Sequence, residues 1–283
     1  MAVAIFVRAF YSIAAKYAVT NVRVHYTNFS VLFLGLAGLI ALGFSFFYEG
    51  IDLSILREET MLISLTIFTM VIGNVVYFKG QDMVDAGTTQ IALSTKLVWA
   101  ALLAMPILGT TYDGLQVLGM FILAGAILLT SKGISKGVAS WGALLIAVSA
   151  ISFAFNSIYL AQLAEATDVH TYLAVSYLGT AIFTIPLGLK NLKKDVSFVS
   201  KNKATTVKSM LFASLTSLVY FVAIYNTFNQ AGDDRGLVSV LTNVQVVTTV
   251  LLAAIVLKER DQIGRKIFAS MLVLLAAYLI SGI

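Results

Sequence analysis

The chain contains no cysteine, two histidines and two prolines, and only 12% of its 283 residues are charged. The lack of cysteine excludes disulfides and thiolate chemistry. Two histidines without a cluster of carboxylates predict neither a structural metal site nor a cofactor. A soluble domain carries about 25% charged residues. This composition, with 59% hydrophobic residues, therefore favours a protein surrounded by lipid.

Acidic residues are also missing from ten apolar stretches, each about as long as a membrane crossing. A spanning helix needs about 20 mostly apolar residues, and no stretch shows the alternating pattern of a barrel. The first stretch has no basic segment before it, which predicts no cleavable signal peptide. We therefore predict an all-α integral membrane protein with ten transmembrane helices. The stretches are 3–20, 28–48, 61–79, 86–107, 115–131, 141–161, 172–189, 209–228, 237–257 and 267–282.

Lysine and arginine are distributed unevenly between the connections. Fourteen fall in the first, third, fifth, seventh and ninth loops when Lys79, at the end of the third stretch, is counted with the third loop. The alternate loops hold two, Arg57 and Arg235. The longest connection, from Lys190 to Lys208, holds six lysines and one aspartate. Because basic loops stay in the cytoplasm, we predict a plasma (inner) membrane protein with both termini outside. The net charge of +5 is then explained by the basic loops that set membrane topology, and no nucleic-acid partner is expected.

Two sets of polar residues recur at a nearly fixed offset. Val24-His25 matches Val169-His170 at an offset of about 145 residues. After the lysine-rich loop the offset is about 149, and the motif Gln-x-x-x-Asp-x-Gly starts at both Gln81 and Gln230. Five helices per repeat is an odd number, so the second copy enters the membrane inverted, as in many secondary transporters. We therefore predict two inverted five-helix repeats, 1–131 and 132–283.

The ninth stretch ends with Leu257-Lys258-Glu259-Arg260, and Gly264 follows it. Together with the five-plus-five arrangement, this ending resembles the leucine–glycine–glutamate ending of the EamA-like branch of the drug/metabolite transporter superfamily. The first-half equivalent, Leu108-Gly109-Thr110, has threonine where that branch usually has glutamate. Lys96 and Gln245 stand where it usually has a mid-helix proline. The resemblance implies alternating access and a central cavity lined by spans 1, 3, 4, 6, 8 and 9, with spans 5 and 10 outside.

One lysine, Lys96, falls in the middle of the fourth stretch. At 1.5 Å per residue it lies about 15 Å from either end of the span. An ionisable residue at that depth indicates a functional site, so we predict a cation that holds a carboxylate or another anionic group. Trp99, one helical turn later, would form an apolar wall. Alternatively, helix carbonyls or neighbouring hydroxyls satisfy the lysine and it fixes helix packing.

Further polar residues form stripes at helical spacing on the predicted cavity helices. Hydrogen bonding between helices is the alternative explanation for such stripes. The side chain of Arg8, seven residues from the N-terminus, could instead reach the outer headgroups. The substrate-binding candidates besides Lys96 and Trp99 are Asn74, Tyr77, Asn156, Tyr159, Asn226, Thr242, Gln245 and Arg8.

These features together favour a secondary transporter of a small polar metabolite, a monomer or homodimer in the lipid bilayer. The central lysine favours an amino acid or another carboxylate, and the resemblance favours export. A multidrug or cation exporter is the first alternative, although no acidic residue lies within the ten stretches to bind a cation. A non-transporting membrane sensor or assembly protein is the second. An enzyme is disfavoured because no cluster of carboxylates and histidines supplies a nucleophile–base pair or metal ligands.

Overall fold

The computed structural model describes residues 2–47, 50–51, 54–109, 111–131, 138–231 and 243–281. Most of this part of the chain is helical, and it contains no strand. A 3-10 turn spans Leu189–Asn191, and a π-helical turn spans Ala253–Leu257. The α-helices are α1 Ala2–Asn21, α2 Tyr26–Ser45, α3 Ile55–Glu58, α4 Thr60–Met83, α5 Ala86–Leu93, α6 Lys96–Leu108, α7 Gly114–Ser131, α8 Val138–Ala166, α9 Val169–Gly188, α10 Leu192–Lys201, α11 Lys203–Ala231, α12 Val244–Leu252 and α13 Ile263–Ser281.

Seven helical stretches in the described residues are long and apolar enough to cross a membrane. Two further apolar helices are shorter, Gly114–Leu129 and Val244–Leu257. The all-helical membrane class is therefore confirmed, whereas the count of ten spans stays a prediction. The seven stretches are Tyr26–Ser45, Thr60–Met83, Ala86–Ile107, Trp141–Leu160, Val169–Lys201, Lys203–Thr227 and Ile263–Ser281.

Helices from the two halves of the chain pack against each other in pairs. The closest pairs are α4 with α8, α2 with α9, α1 with α11 and α7 with α13. Glycines permit this approach: a Cβ on Gly80 would lie 2.8 Å from the carbonyl oxygen of Gly142, and one on Gly38 2.9 Å from the backbone nitrogen of Leu178. Small residues at such crossings allow tight van der Waals packing where lipid offers no hydrophobic drive. The core therefore lies between the halves.

The fourth apolar stretch is not one continuous helix. It is interrupted between α5 and α6, where the Ser94 hydroxyl donates to the Gln90 carbonyl at 2.9 Å and the Thr95 hydroxyl to the Ala92 carbonyl at 2.8 Å. The Thr95 backbone N–H also bonds Ala92, at 3.2 Å, instead of the residue four positions earlier. Serine and threonine compete for backbone carbonyls in this way and tighten a helix into a 3-10 turn. Lys96 is the first residue after the interruption.

The lysine-rich connection is also helical, although the sequence indicated only a loop. It contains the 3-10 turn, α10 and the start of α11. Its apolar residues recur every three or four positions between the lysines, which gives a surface helix one apolar side. The chain therefore enters the eighth apolar stretch already helical.

Candidate functional site

A cavity of about 430 Å³ lies in the middle of the helix bundle. Its described walls come from α1, α2, α4, α5, α6, α8, α9, α11 and the start of α12. The outer pair, α7 and α13, contributes no described residue to the lining. Helices from both halves of the chain therefore enclose one space large enough for a small metabolite.

Two cations, Arg8 and Lys96, line this cavity. The Arg8 guanidinium lies 4.5 Å from the ring centre of Tyr220 and 5.3 Å from that of Tyr11. Its Nε is buried and has no hydrogen-bond partner among the described residues. Lys96 is half-buried, and no described residue forms a hydrogen bond or ion pair with its ammonium group. Among the described residues of the lining, no side chain is acidic. The walls therefore carry two positive charges to which no described residue supplies a balancing negative charge.

Uncharged polar groups also point to unmet hydrogen bonds in the cavity. The Asn156 Nδ2 and the Gln245 Oε1 are buried, and no described residue lies in hydrogen-bonding geometry with either atom. Because a side-chain amide carries both a carbonyl acceptor and an NH2 donor, each residue offers a ligand either kind of bond. Asn74, in contrast, donates to the Met70 carbonyl of its own helix at 2.8 Å.

Aromatic rings form much of the remaining wall. Tyr11 stacks on Tyr220 with ring centres 6.2 Å apart, and Tyr77 meets Phe153 edge-on at 5.8 Å. Rings offer a rigid apolar surface to the body of a ligand, with hydroxyls available for its polar ends. The aromatic lining residues are Tyr11, Phe33, Tyr77, Phe153, Tyr172, Tyr177, Tyr220, Phe221 and Tyr225.

The structure brings six of the ten sequence candidates to the cavity and places three elsewhere. Trp99 packs against the apolar core, Tyr159 stacks on Phe155 with ring centres 6.2 Å apart, and Asn226 is exposed. Thr242 lies outside the described residues. The six residues that line the cavity are Arg8, Asn74, Tyr77, Lys96, Asn156 and Gln245.

Helix rotation explains why Trp99 and Tyr159 miss the cavity. On α8 the lining residues begin at Phe153 and end at Leu160, at steps of three and four, with Asn156 at one edge of that face. Tyr159 is one further step of three from Asn156, and each such step rotates the position by about 60°. Trp99 has the same relation to Lys96. A stripe drawn through polar residues alone was therefore rotated away from the face that the packing selects.

Sequence reasoning missed several polar lining residues. Gln90 and Ser94 continue the cavity face toward the interruption before Lys96, and Asn243 precedes α12. Helix α9 was not expected to contribute, yet it supplies Tyr172 and Tyr177. The two tyrosines were the signal in the sequence that could have indicated a cavity wall on α9. A tyrosine in an apolar stretch is, however, equally typical of core packing.

A family model described as "EamA-like transporter family" matches residues 1–132 and, a second time, residues 140–282. The chain belongs to the EamA-like transporter family. The resemblance noted in the sequence is thereby confirmed, and so is its placement in the drug/metabolite transporter superfamily. Members of this family are membrane transporters rather than enzymes.

This EamA-family transporter also resembles a solved structure described only as "Crystal structure of protein". The likeness has a TM-score of 0.65 at 15% sequence identity and covers 98% of this chain and 95% of the other. At that identity the likeness establishes the fold. No curated protein matches the chain.

One end of the transporter's bundle is closed by charged residues, which we call the ion-pair cluster: Lys16, Asp85, Glu259 and Lys266. The Lys266 ammonium lies 3.1 Å from the Asp85 carboxylate, and the Lys16 ammonium donates to the Gln81 carbonyl at 2.8 Å. The Glu259 carboxylate accepts the backbone N–H of Ala86, the first residue of α5, at 2.8 Å. The cluster therefore ties α1 to the end of α4, and it joins Glu259 and α13 to the start of α5.

The Glu259 carboxyl is partly withdrawn from water in this cluster. Burial, the largest influence, raises its pKa above the ordinary value for glutamate, and the negative charge of Asp85 acts in the same direction. The α5 N–H, Lys16 and Lys266 act in the opposite direction but do not cancel the effect of burial.

A small apolar plug separates the cavity from the ion-pair cluster. Ile13, Ala86 and Ala253, from three different elements, are almost fully buried against each other. Along α1, Ile13 lies between Tyr11, which lines the cavity, and Lys16; that interval measures roughly 8 Å at 1.5 Å per residue. The cavity therefore lies toward the end of the bundle where α1 begins, and the opposite end is shut.

Proposed function

We propose that this EamA-family transporter is a secondary transporter of an amino acid or another carboxylate-bearing metabolite. Lys96 would hold the carboxylate near the middle of the membrane, between the two halves of the chain. The observation that carries this proposal is the Lys96 ammonium on the cavity wall, where no described residue forms a hydrogen bond or ion pair with it. A charge at this depth is costly unless it faces water or an opposite charge, and a substrate anion supplies one.

The charges of the lining disfavour the alternative of a multidrug or cation exporter. A cationic drug would meet Arg8 and Lys96 and, among the described lining residues, no carboxylate. Repulsion between like charges is strong where water is largely excluded. A non-transporting sensor is disfavoured by family membership.

The interrupted helix supports the position of the site. Discontinuous helices in transporters direct their N-terminal ends, which carry partial positive charge, at anionic substrate groups. Helix α6 begins at Lys96, and α12 begins at Val244, next to Gln245. At the offset of 149 residues Gln245 corresponds to Lys96, so both halves present a helix start at the cavity.

Helix pairing supports the inverted repeats. Suppose that α1, α2, α4, α6 and α7 correspond, in order, to α8, α9, α11, α12 and α13. Replacing each helix by its counterpart then turns the packed pair α4–α8 into the packed pair α11–α1, and α6–α8 into α12–α1. The pairs α2–α9 and α7–α13 each exchange with themselves. A two-fold axis in the membrane plane produces this arrangement in transporters with inverted repeats. Alternating access would then open the plugged end while closing the other.

The remaining candidates would bind the rest of the substrate. Arg8 would hold a second acidic group or carbonyl, and Asn156 and Gln245 would bond polar atoms. Asn74 and Tyr77 would complete the wall, while Trp99, Tyr159 and Asn226 would act at most on substrate entry and packing. Thr242, outside the described residues, stays a substrate-binding candidate. With the lysine-rich loops in the cytoplasm, the cavity would face outward in this state. We further propose that the protein exports its substrate across the plasma membrane.

Substitution of Lys96 tests the proposal in reconstituted vesicles. Lys96→Ala should lower transport of amino acids and organic acids about 10- to 100-fold, because a hydrogen bond to a charged group contributes about 1.5–3 kcal/mol. Lys96→Arg should retain part of the activity, since the charge remains. Uptake is measured with radiolabelled amino acids, dicarboxylates and organic cations in parallel.

Lys208→Ala is the matched control, since this lysine is exposed at the start of α11. Its transport should equal that of the unmodified protein. Full activity of Lys96→Ala at normal expression, or transport of organic cations alone, would remove the central cation from the mechanism.

A further inference from the structure

The segment Leu189–Lys201, comprising the 3-10 turn and α10, presents three distinct faces. We call it the lysine helix. At 100° per residue, Asn191, Asp195 and Phe198 fall on one side. Leu192 and Val196 form an adjacent apolar edge. The lysines occupy the remaining side, and the full lysine set is Lys190, Lys193, Lys194 and Lys201.

The first face anchors the lysine helix to the bundle. Asp195 is almost fully buried, and its carboxylate accepts the His25 backbone N–H at 3.1 Å and the Asn28 side-chain amide at 2.6 Å. The same amide nitrogen of Asn28 donates to the Gly188 carbonyl at 3.1 Å, and Phe198 packs on the core. The orientation of the other two faces is therefore fixed.

The apolar edge is left uncovered by the part of the chain that the structure describes. Leu189, Leu192 and Val196 are exposed to 57%, 45% and 56%. The preceding helix α9 has 20 residues, which is enough to cross the hydrocarbon layer. The lysine helix therefore begins where the hydrocarbon ends, at the depth of the headgroups and upper acyl chains. At that depth the exposed apolar side chains meet lipid tails.

The lysine face carries positive charge without acidic neighbours on the same segment. Its four lysines are exposed, and its one acid, Asp195, is turned inward and bonded to α2. A helix with an apolar edge in the acyl region and lysines above it matches the layered chemistry of a membrane surface. Lysines at this position attract anionic headgroups.

We propose that the lysine helix is an interfacial binding site for anionic phospholipid, with phosphate headgroups on the lysine face and acyl chains on the Leu189–Val196 edge. The charge of the face selects anionic over zwitterionic lipid, and the apolar edge selects lipid over free phosphate. This site is independent of the central cavity and of what the cavity transports.

Lipid retention tests the charge. The purified full-length protein is mixed with equal amounts of phosphatidylglycerol and phosphatidylcholine, and bound lipid is counted by native mass spectrometry. We expect preferential retention of phosphatidylglycerol. The double variant Lys193→Gln/Lys194→Gln should weaken that preference about 30-fold, since each lysine near an anionic surface changes binding about fivefold.

The matched control is Lys258→Gln/Arg265→Gln, which removes two exposed cations from another connection. This control should retain phosphatidylglycerol like the unmodified protein. Equal loss in both double variants, or equal retention of the two lipids by the unmodified protein, would overturn the proposal. Displacement of the lipid by millimolar glycerol phosphate would do the same, because the site would then recognise free phosphate.

Depth measurement tests the apolar edge. Because the chain has no cysteine, Val196→Cys provides a single attachment point for a fluorophore, and Ser197→Cys provides one on the lysine side. In vesicles with bromine on the upper acyl chain, the label at 196 should be quenched more strongly than the label at 197. Equal quenching, or a signal at 196 that follows protein concentration rather than bromolipid, would show a second protein copy or water on this edge and refute lipid contact.

Discussion

Arg8 shows how a largely apolar helix can hold a cation without an acidic partner among the described residues. Its guanidinium faces two tyrosine rings, at 4.5 Å and 5.3 Å from their centres. Such contacts contribute about 2 kcal/mol when water is excluded, less than the cost of placing the charge in hydrocarbon. The remainder requires water or a ligand in the cavity, which is why the pair Arg8 and Lys96 supports the proposal of an anion site.

Asp195 leads to a prediction at the same scale. Asp195→Ala should lower the free energy of unfolding by about 1–3 kcal/mol, because it leaves the buried Asn28 amide and the His25 N–H without their charged acceptor. The thermal midpoint in detergent measures the loss. Asp82→Ala, at an exposed carboxylate, is the control and should change little. Equal midpoints for the two variants would show that Asp195 does not anchor the lysine helix.

At the scale of the elements, contact between helices depends on a few glycines. Gly38 leaves no room for a methyl group beside the Leu178 backbone, whereas a Cβ on Gly43 of the same helix would meet nothing within 4 Å. Helix α2 therefore needs glycine at one position and merely tolerates it at the other. Periodicity alone does not distinguish the two, because both lie in the same apolar run.

Gly38→Ala and Gly43→Ala form a matched pair. The first should destabilise the protein by about 1–3 kcal/mol, since α2 and α9 must move apart. The second should be neutral or stabilise slightly, because alanine favours a helix by up to about 1 kcal/mol over glycine. Thermal unfolding of both variants in the same detergent measures the difference. A Gly38→Ala protein as stable as Gly43→Ala would contradict close packing of α2 on α9.

Across the whole molecule, the closed end combines an apolar plug with the ion-pair cluster. The closed state buries Glu259 and raises its pKa, whereas opening would return the carboxyl to water and to its ordinary pKa. The closed state thus binds this proton more tightly. Relative to the open state, the closed state therefore gains stability at pH values below the ordinary pKa of glutamate. This gain is lost as pH rises through the raised pKa. The charged groups around Glu259 are Lys16, Asp85 and Lys266.

We therefore expect the plugged end to open more readily as pH rises through the raised pKa. Ala253→Cys, at a buried plug position, should react faster with a membrane-impermeant thiol reagent at higher pH than at lower pH. Each rate is divided by that of the exposed Ser200→Cys at the same pH, which removes the pH dependence of the thiol itself. Adding Glu259→Gln should remove the pH dependence, since the amide can still accept the α5 N–H. An unchanged pH profile in that double variant would exclude Glu259 as the titrating group.

Much of this protein follows from its sequence because lipid imposes strict rules. Apolar stretches of full span length predict helices, since backbone groups in hydrocarbon must bond within their own segment. Each predicted stretch is mostly helical where the structure describes it, apart from the end of the second stretch at Phe46-Phe47 and the interruption of the fourth at Ser94-Thr95. The mid-span lysine likewise indicated a polar interior, and the Leu257–Arg260 ending indicated the family that the comparison with family models confirms.

Tertiary structure decided the rest, because each outcome depends on a neighbour distant in sequence. Trp99 and Tyr159 left the cavity wall through the rotation of their helices, which packing sets. The tyrosines of α9 joined the wall because α2 and α9 cross closely at Gly38. Only the fold brings Glu259 to the first turn of α5 and Asp195 to the start of α2. Hydropathy thus determined which segments form the helices, and side-chain packing determined which of their faces meet.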